Sequence, residues 1–163
     1  MKKADKWSVH IFFKEGVNDP IGNVAYSDMR DLGFKEVKRV RCIPTYTIQG
    51  RLSEKDLKRV CNELLADPIT QSFTYSKEEE GLHFDTDWIV EITTKPGVTD
   101  AIGETAFEAT KLLGIKGVES VSSSFTYLID GRINENVLEA LTTKSLANPI
   151  IHNYYFYRGN TSR

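Results

Sequence analysis

Trp7, Val9, Ile11 and Phe13 alternate with Ser8, His10 and Phe12, and Trp88, Val90 and Ile92 repeat the alternation 81 positions later. A period of two is that of a strand buried on one face, and Gly16 and Gly97 end the two runs. The period then lengthens. Ile21, Val24, Ala25, Met29 and Leu32 form one apolar stripe of a helix, as do Ile102, Ala106, Ala109 and Leu113. Asp19 and Asp100 stand where an N-cap carboxylate accepts from first-turn N–H groups. Pro20 suits a first helical position, and Gly33 and Gly114 suit the residue just past a helix end. Residues 37–49 then read as extended. No Asn-Gly or Asp-Gly marks a tight hairpin there, while Pro44 demands a kink, a bulge or an edge position. A bent strand and a loose hairpin both fit. Ser53 caps a second helix with stripe Leu57, Val60, Cys61 and Leu64, and Pro68 and Pro149 forbid its continuation. Last strands are expected over residues 69–75 and 150–157. The latter is aromatic on both sides at Tyr154, Tyr155, Phe156 and Tyr157, which predicts burial of both sheet faces there.

The second half of the chain is a gapless copy of the first. Lys14, Gly16, Val17, Asp19 and Gly22 coincide with Lys95, Gly97, Val98, Asp100 and Gly103. Tyr46, Gly50 and Arg51 coincide with Tyr127, Gly131 and Arg132, and Leu65-Ala66-Asp67-Pro68-Ile69 returns as Leu146-Ala147-Asn148-Pro149-Ile150. Such a repeat defines the architecture as two copies of one unit. The expected organisation is copy one over residues 1–76, a charged linker over 77–86 and copy two over 87–163. The element order β-α-β(β)-α-β predicts an α+β fold: two tandem ferredoxin-like α/β sandwich units, each a mostly antiparallel sheet with two helices on one face. Units of about 70–75 residues are near the lower limit of independent stability, so one copy is expected to pack on the other, sheet on sheet or edge to edge.

Composition narrows the class. The 163 residues are 40% hydrophobic and 27% charged with a formal net charge of -2, which gives a globular chain without the basic footprint of a nucleic-acid or membrane-surface binder. No apolar run approaches a membrane span, and no signal-peptide core follows Met1-Lys2-Lys3. Cys42 and Cys61 have Ser123 and Thr142 as counterparts, so a structural disulfide would not recur in both copies. They read as reduced core residues of a cytoplasmic protein.

Catalytic chemistry needs convergent titratable groups, and the chain offers few. His10, His83 and His152 do not coincide under the repeat and lack metal-ligand spacing, so no metal is expected. No serine sits in a nucleophile elbow, and no Walker or dinucleotide fingerprint accompanies the Gly16 to Gly22 loop. Asp19 also places a negative charge at the helix end that an anion would want. No catalytic residue and no cofactor is predicted. The repeated Gly50-Arg51 and Gly131-Arg132 are more telling, since arginine and tyrosine are enriched at interface hot spots. Tyr46, Arg51, Tyr127 and Arg132 are the candidate exposed partner-interface residues.

The motifs Lys14 to Gly22 with Leu32-Gly33-Phe34, Lys95 to Gly103 with Leu113-Gly114-Ile115, and the two closing Leu-Ala-Asp/Asn-Pro-Ile segments resemble the PurS family, over nearly the whole chain. The resemblance implies a component of phosphoribosylformylglycinamidine synthase in purine biosynthesis, not an enzyme on its own. It implies a non-catalytic scaffold bridging the glutaminase and synthetase components of an ATP-dependent amidotransferase and supporting ammonia delivery. The doubling looks like a covalent version of the family's dimer. It is compatible with further homodimer formation, and with either a freestanding subunit or the leading segment of a longer synthetase. Lys95-Pro96-Gly97-Val98 on a tandem β-α-β framework also resembles ACT domains, which would imply an amino-acid-sensing module instead.

Overall fold

A computed structural model describes residues 3–77 and 83–160; the acidic run expected within the linker, residues 78–80, lies outside the described residues. The elements are β1 (Asp5–Phe13), α1 (Pro20–Asp31), β2 (Val37–Gly50), α2 (Glu54–Val60), β3 (Gln71–Lys77), β4 (Trp88–Thr94), α3 (Ala101–Leu112), β5 (Val118–Gly131), α4 (Glu135–Leu141) and β6 (His152–Arg158). π-helical turns over Cys61–Leu65 and Thr142–Leu146 extend α2 and α4. The strands follow the order β3-β1-β2-β5-β4-β6. β1 pairs antiparallel with β2 and β3, and β4 with β5 and β6. The fold is α+β, as the pattern predicts, and of the two ways of joining the copies it is the edge strands β2 and β5 that are neighbours.

Three helix starts, at Asp19, Asp100 and Ser53, are the expected ones, and Asn134 at Ser53's place in copy two adds a fourth. Asp19 accepts from Gly22 N at 2.8 Å and Asp100 from Gly103 N at 2.9 Å, while Ser53 and Asn134 cap α2 and α4. The stretch around Pro44 is one continuous strand of 14 residues, not a hairpin. Its pairing with β1 runs from Gly50 back to Thr45 and stops there. Pro44, which has no N–H to give to a ladder, is where that pairing ends.

Two compact units result, and they are a different division of the chain from the sequence repeat. One comprises residues 1–17, 44–81 and 99–123; the other comprises 18–43, 82–98 and 124–163. In the first unit, Val9, Ile11 and Ile48 of β1 and β2 pack with Leu57, Val60 and Cys61 of α2 and its extension, joined by Ile115 and Val121 from copy two. Ala106 and Phe107 of α3 lie against that core. In the second unit, Trp88, Val90, Ile92 and Ile129 pack with Leu138 and Leu141 of α4, joined by Ala25 and Met29 of α1 from copy one. Strands β2 and β5 are 14 residues each, about 46 Å of extended chain at roughly 3.3 Å per residue. That is more than twice the usual strand, so each contributes one half to each unit. The first helix of each copy, α1 or α3, therefore packs in the other copy's unit, while α2 and α4 stay with their own.

Some expected core positions are not core. Val24, Leu32 and Ile102 of the two helical stripes are 61%, 53% and 44% exposed. The aromatic strand β6 is buried on one side only: Tyr154 and Phe156 pack against the second unit's core, while Tyr155 and Tyr157 are about half exposed. An aromatic run on an outer strand can cover a core with one set of side chains and leave the alternate set bare.

Candidate functional site

Two polar clusters recur, one in each unit. In the second unit the Asp19 carboxylate, besides capping α1, accepts from the backbone N–H of Cys42 at 2.7 Å, and the Cys42 thiol meets the Tyr127 hydroxyl. In the first unit Asp100 accepts from the N–H and the hydroxyl of Ser123, both at 2.6 Å, and lies close enough to Tyr46 to raise its pKa. A carboxylate, a thiol or hydroxyl and a phenol are the residue types of nucleophilic catalysis. Their states are wrong for it. Burial first, and the negative Asp19 second, push the Cys42 thiol well above its ordinary value, so the thiol stays protonated. Burial likewise raises Tyr46 and Tyr127. The carboxylates are engaged by backbone donors from a helix end and a strand. A Cβ on Gly22 would fall 2.5 Å from Asp19 Oδ2 and 2.6 Å from the carbonyl of Val40, and Gly103 is enclosed in the same way by Asp100 and Val121. The clusters are clasps that fix helix to sheet.

The four residues expected to be exposed divide into two pairs. Arg51 and Arg132 are exposed at the ends of β2 and β5. Tyr46 is half-buried against the first unit's core and Tyr127 is only 8% exposed, so the exposure expected of the tyrosines is not found. Both lie on the face of the strand that the helices cover, and their polar tips reach the clasps. The glycines before the arginines have their own cause. Gly50 has the backbone of Gly117 and Val118 against it, and Gly131 that of Glu36 and Val37, where a side chain would collide. The Arg51 N–H donates to the Gly117 carbonyl at 2.8 Å. Lys14, repeated as Lys95, donates through Nζ to the Pro68 carbonyl at 2.6 Å and so ties the Gly-Val loop to the end of α2's extension.

Cys42 and Cys61 are free and buried. Among the described residues no group of three or more His, Cys, Asp or Glu could hold a metal ion, and no helix is long and apolar enough to cross a membrane. His10 lies on the sheet side away from the first unit's core, its Nδ1 3.2 Å from Thr45 Oγ1; its pKa is lowered by burial. At the equivalent place in copy two stands Glu91, whose pKa burial raises. By sequence His10 is weighed only as a metal ligand and Glu91 is not singled out, since each is one polar residue in an alternating strand.

Comparison with known proteins supplies the family. The PurS model, described as phosphoribosylformylglycinamidine (FGAM) synthase, matches twice, over residues 6–79 and 87–158. The chain belongs to the PurS family. The PurS subunit of phosphoribosylformylglycinamidine synthase from Archaeoglobus fulgidus is 35% identical over 71 residues, which is 40% of this chain and 89% of that subunit. The subunit of the same name from Bacillus subtilis is 30% identical over 78 residues, 45% of this chain and 93% of its own length. One whole relative thus corresponds to about one copy of this repeat.

Proposed function

We propose that this chain is the PurS component of phosphoribosylformylglycinamidine synthase, acting in the cytoplasm in purine biosynthesis. It is a non-catalytic scaffold that bridges the glutaminase and synthetase components and supports ammonia delivery. The observation that carries this reading is the double family match in one chain, with relatives of that name whose whole length is about that of one copy. The clasps agree with it, since their carboxylates are committed to holding helices on strands and the Cys42 thiol to the Tyr127 hydroxyl. Linking two copies replaces a bimolecular association by an intramolecular one, at an effective concentration of order millimolar. A bridge benefits from such rigidity. Arg51 and Arg132, exposed at equivalent strand ends, are the side chains proposed to grip the partner components.

The test is reconstitution. Synthetase and glutaminase components are assayed for conversion of their amide acceptor with glutamine and, separately, with ammonia. Addition of this chain is expected to raise the glutamine-dependent rate at least tenfold and to leave the ammonia-dependent rate within twofold. Arg51→Ala with Arg132→Ala is expected to reduce co-purification with both components. A glutamine-dependent rate indifferent to the chain would overturn the bridging role.

A further inference from the structure

Each unit joins the first helix of one copy to the second helix of the other: α1 packs on the extension of α4, and α3 on that of α2. The residues that meet at these two places differ in bulk, although the repeat aligns them. On the first-helix side the second unit has Met29 and Phe34, where the first has Thr110 and Ile115. On the extension side the order reverses. The second unit has Thr142 and Ser145 there, and the first has Cys61 and the larger Leu64. Met29, Thr110, Cys61 and Thr142 are each 0% exposed, so added bulk at any of them has no solvent to move into. Phe34 reaches the extension, since the Lys144 ammonium lies 6.0 Å from its ring centre. One deeper position runs the other way, Leu141 for Val60, by a single methylene.

The hydroxyls indicate that size is what these positions preserve. Thr142 Oγ1 and Ser145 Oγ are buried with no hydrogen-bond partner in the protein, whereas Thr110 Oγ1 in the first unit donates to the Phe107 carbonyl at 2.6 Å. A buried unpaired hydroxyl is destabilising, and the leucine that copy one has at Ser145's place would remove it. We propose that the two copies are a matched pair, each shaped to receive the other's first helix and to reject its own. Copy one paired with another copy one would set Met29 and Phe34 against Cys61 and Leu64, overfilling both cores by several methylene groups. Copy two paired with itself would set Thr110 and Ile115 against Thr142 and Ser145, leaving both cores short by a similar amount. Only the mixed arrangement fills both units, and one continuous chain always supplies it. The discrimination comes from mismatched volumes in the wrong pairings, inside each unit, and is independent of the purine role.

Thermal unfolding of the intact chain, followed by circular dichroism, tests the packing. Ser145→Leu is expected to lower Tm by about 3–8 °C in the native background. It is expected to raise Tm once Met29→Thr and Phe34→Ile have given the second unit the residues of the first. A Ser145→Leu change that lowers Tm equally in both backgrounds, or leaves it unmoved in both, overturns the proposal. The pairing itself is read by cutting the folded chain at a protease site introduced between residues 77 and 83, unfolding the pieces in urea, refolding them and recording native mass spectra. Mixed pairs of copy one with copy two are expected to outnumber homotypic pairs at least tenfold. Ser145→Leu is expected to raise the share of copy-two homotypic pairs at least threefold. Homotypic pairs amounting to about half of the total, as indifferent mixing of equal pieces would give, overturn the matched pair.

Discussion

At the scale of single residues, position in the repeat and position in the fold carry different information. Cys42 and Cys61 were legible as reduced and buried because their counterparts, Ser123 and Thr142, make a recurring disulfide impossible. Burial holds the Cys61 thiol up at about 12 and Cys42 higher still. Below those values the thiols stay protonated, so at pH 9 the reactive thiolate of Cys61 is about a thousandth of the total. Alkylation by iodoacetamide at pH 9 is therefore expected to label neither cysteine in the native chain and both in 6 M guanidinium, as intact mass would record. Fast native labelling of either would mean a looser core than the structure has. Tyr46 and Tyr127 turn inward where the sequence predicts exposure, for a physical reason. A phenol suits an interface and a core edge equally, and only the strand's facing decides. The arginines, whose charge resists burial without a partner, stayed where sequence put them.

At the scale of elements, what was local was legible. The caps at Asp19, Asp100 and Ser53 depend on three or four consecutive residues, and the structure has each of them. What the caps also touch was not legible, because the Cys42 and Ser123 N–H groups lie 23 residues away on neighbouring strands. Asp19→Ala removes both the cap and the tie to β2. It is expected to cost more than a cap alone, about 2–3 kcal/mol against about 1. The Asp100→Ala variant, which also frees the Ser123 hydroxyl, is expected to cost at least as much. Urea unfolding followed by circular dichroism measures both; losses of 1 kcal/mol or less would show that the strand bonds contribute nothing beyond capping. By sequence the stretch through Pro44 fits a bent strand and a hairpin equally, and it is one strand. Its pairing on one side with β1 and on the other with β5 is a property of the sheet, which no window of sequence contains.

At the scale of the whole molecule, the consequential feature is that each core draws on both copies. Met29 of copy one shares a core with Leu138 of copy two, whereas Leu57, also of copy one, lies in the other core. Residues in one packed cluster couple energetically, and distant ones add. Met29→Ala and Leu138→Ala are expected to cost about 2–5 kcal/mol each and to be non-additive by at least 0.5 kcal/mol in a double-mutant cycle. Met29→Ala with Leu57→Ala is expected to add. If the cycle instead coupled Met29 to Leu57, the units would follow the repeat. The sequence by itself determined the duplication, the element order, the caps, the reduced cysteines and the family, since each is written in spacing along the chain. Only the tertiary structure decided which copy's helix fills which core and that the repeated tyrosines face inward. Those outcomes depend on where two 14-residue strands pass from one core to the next. Burial is settled by neighbours brought together across the sheet, whereas periodicity records only which residues can share a face.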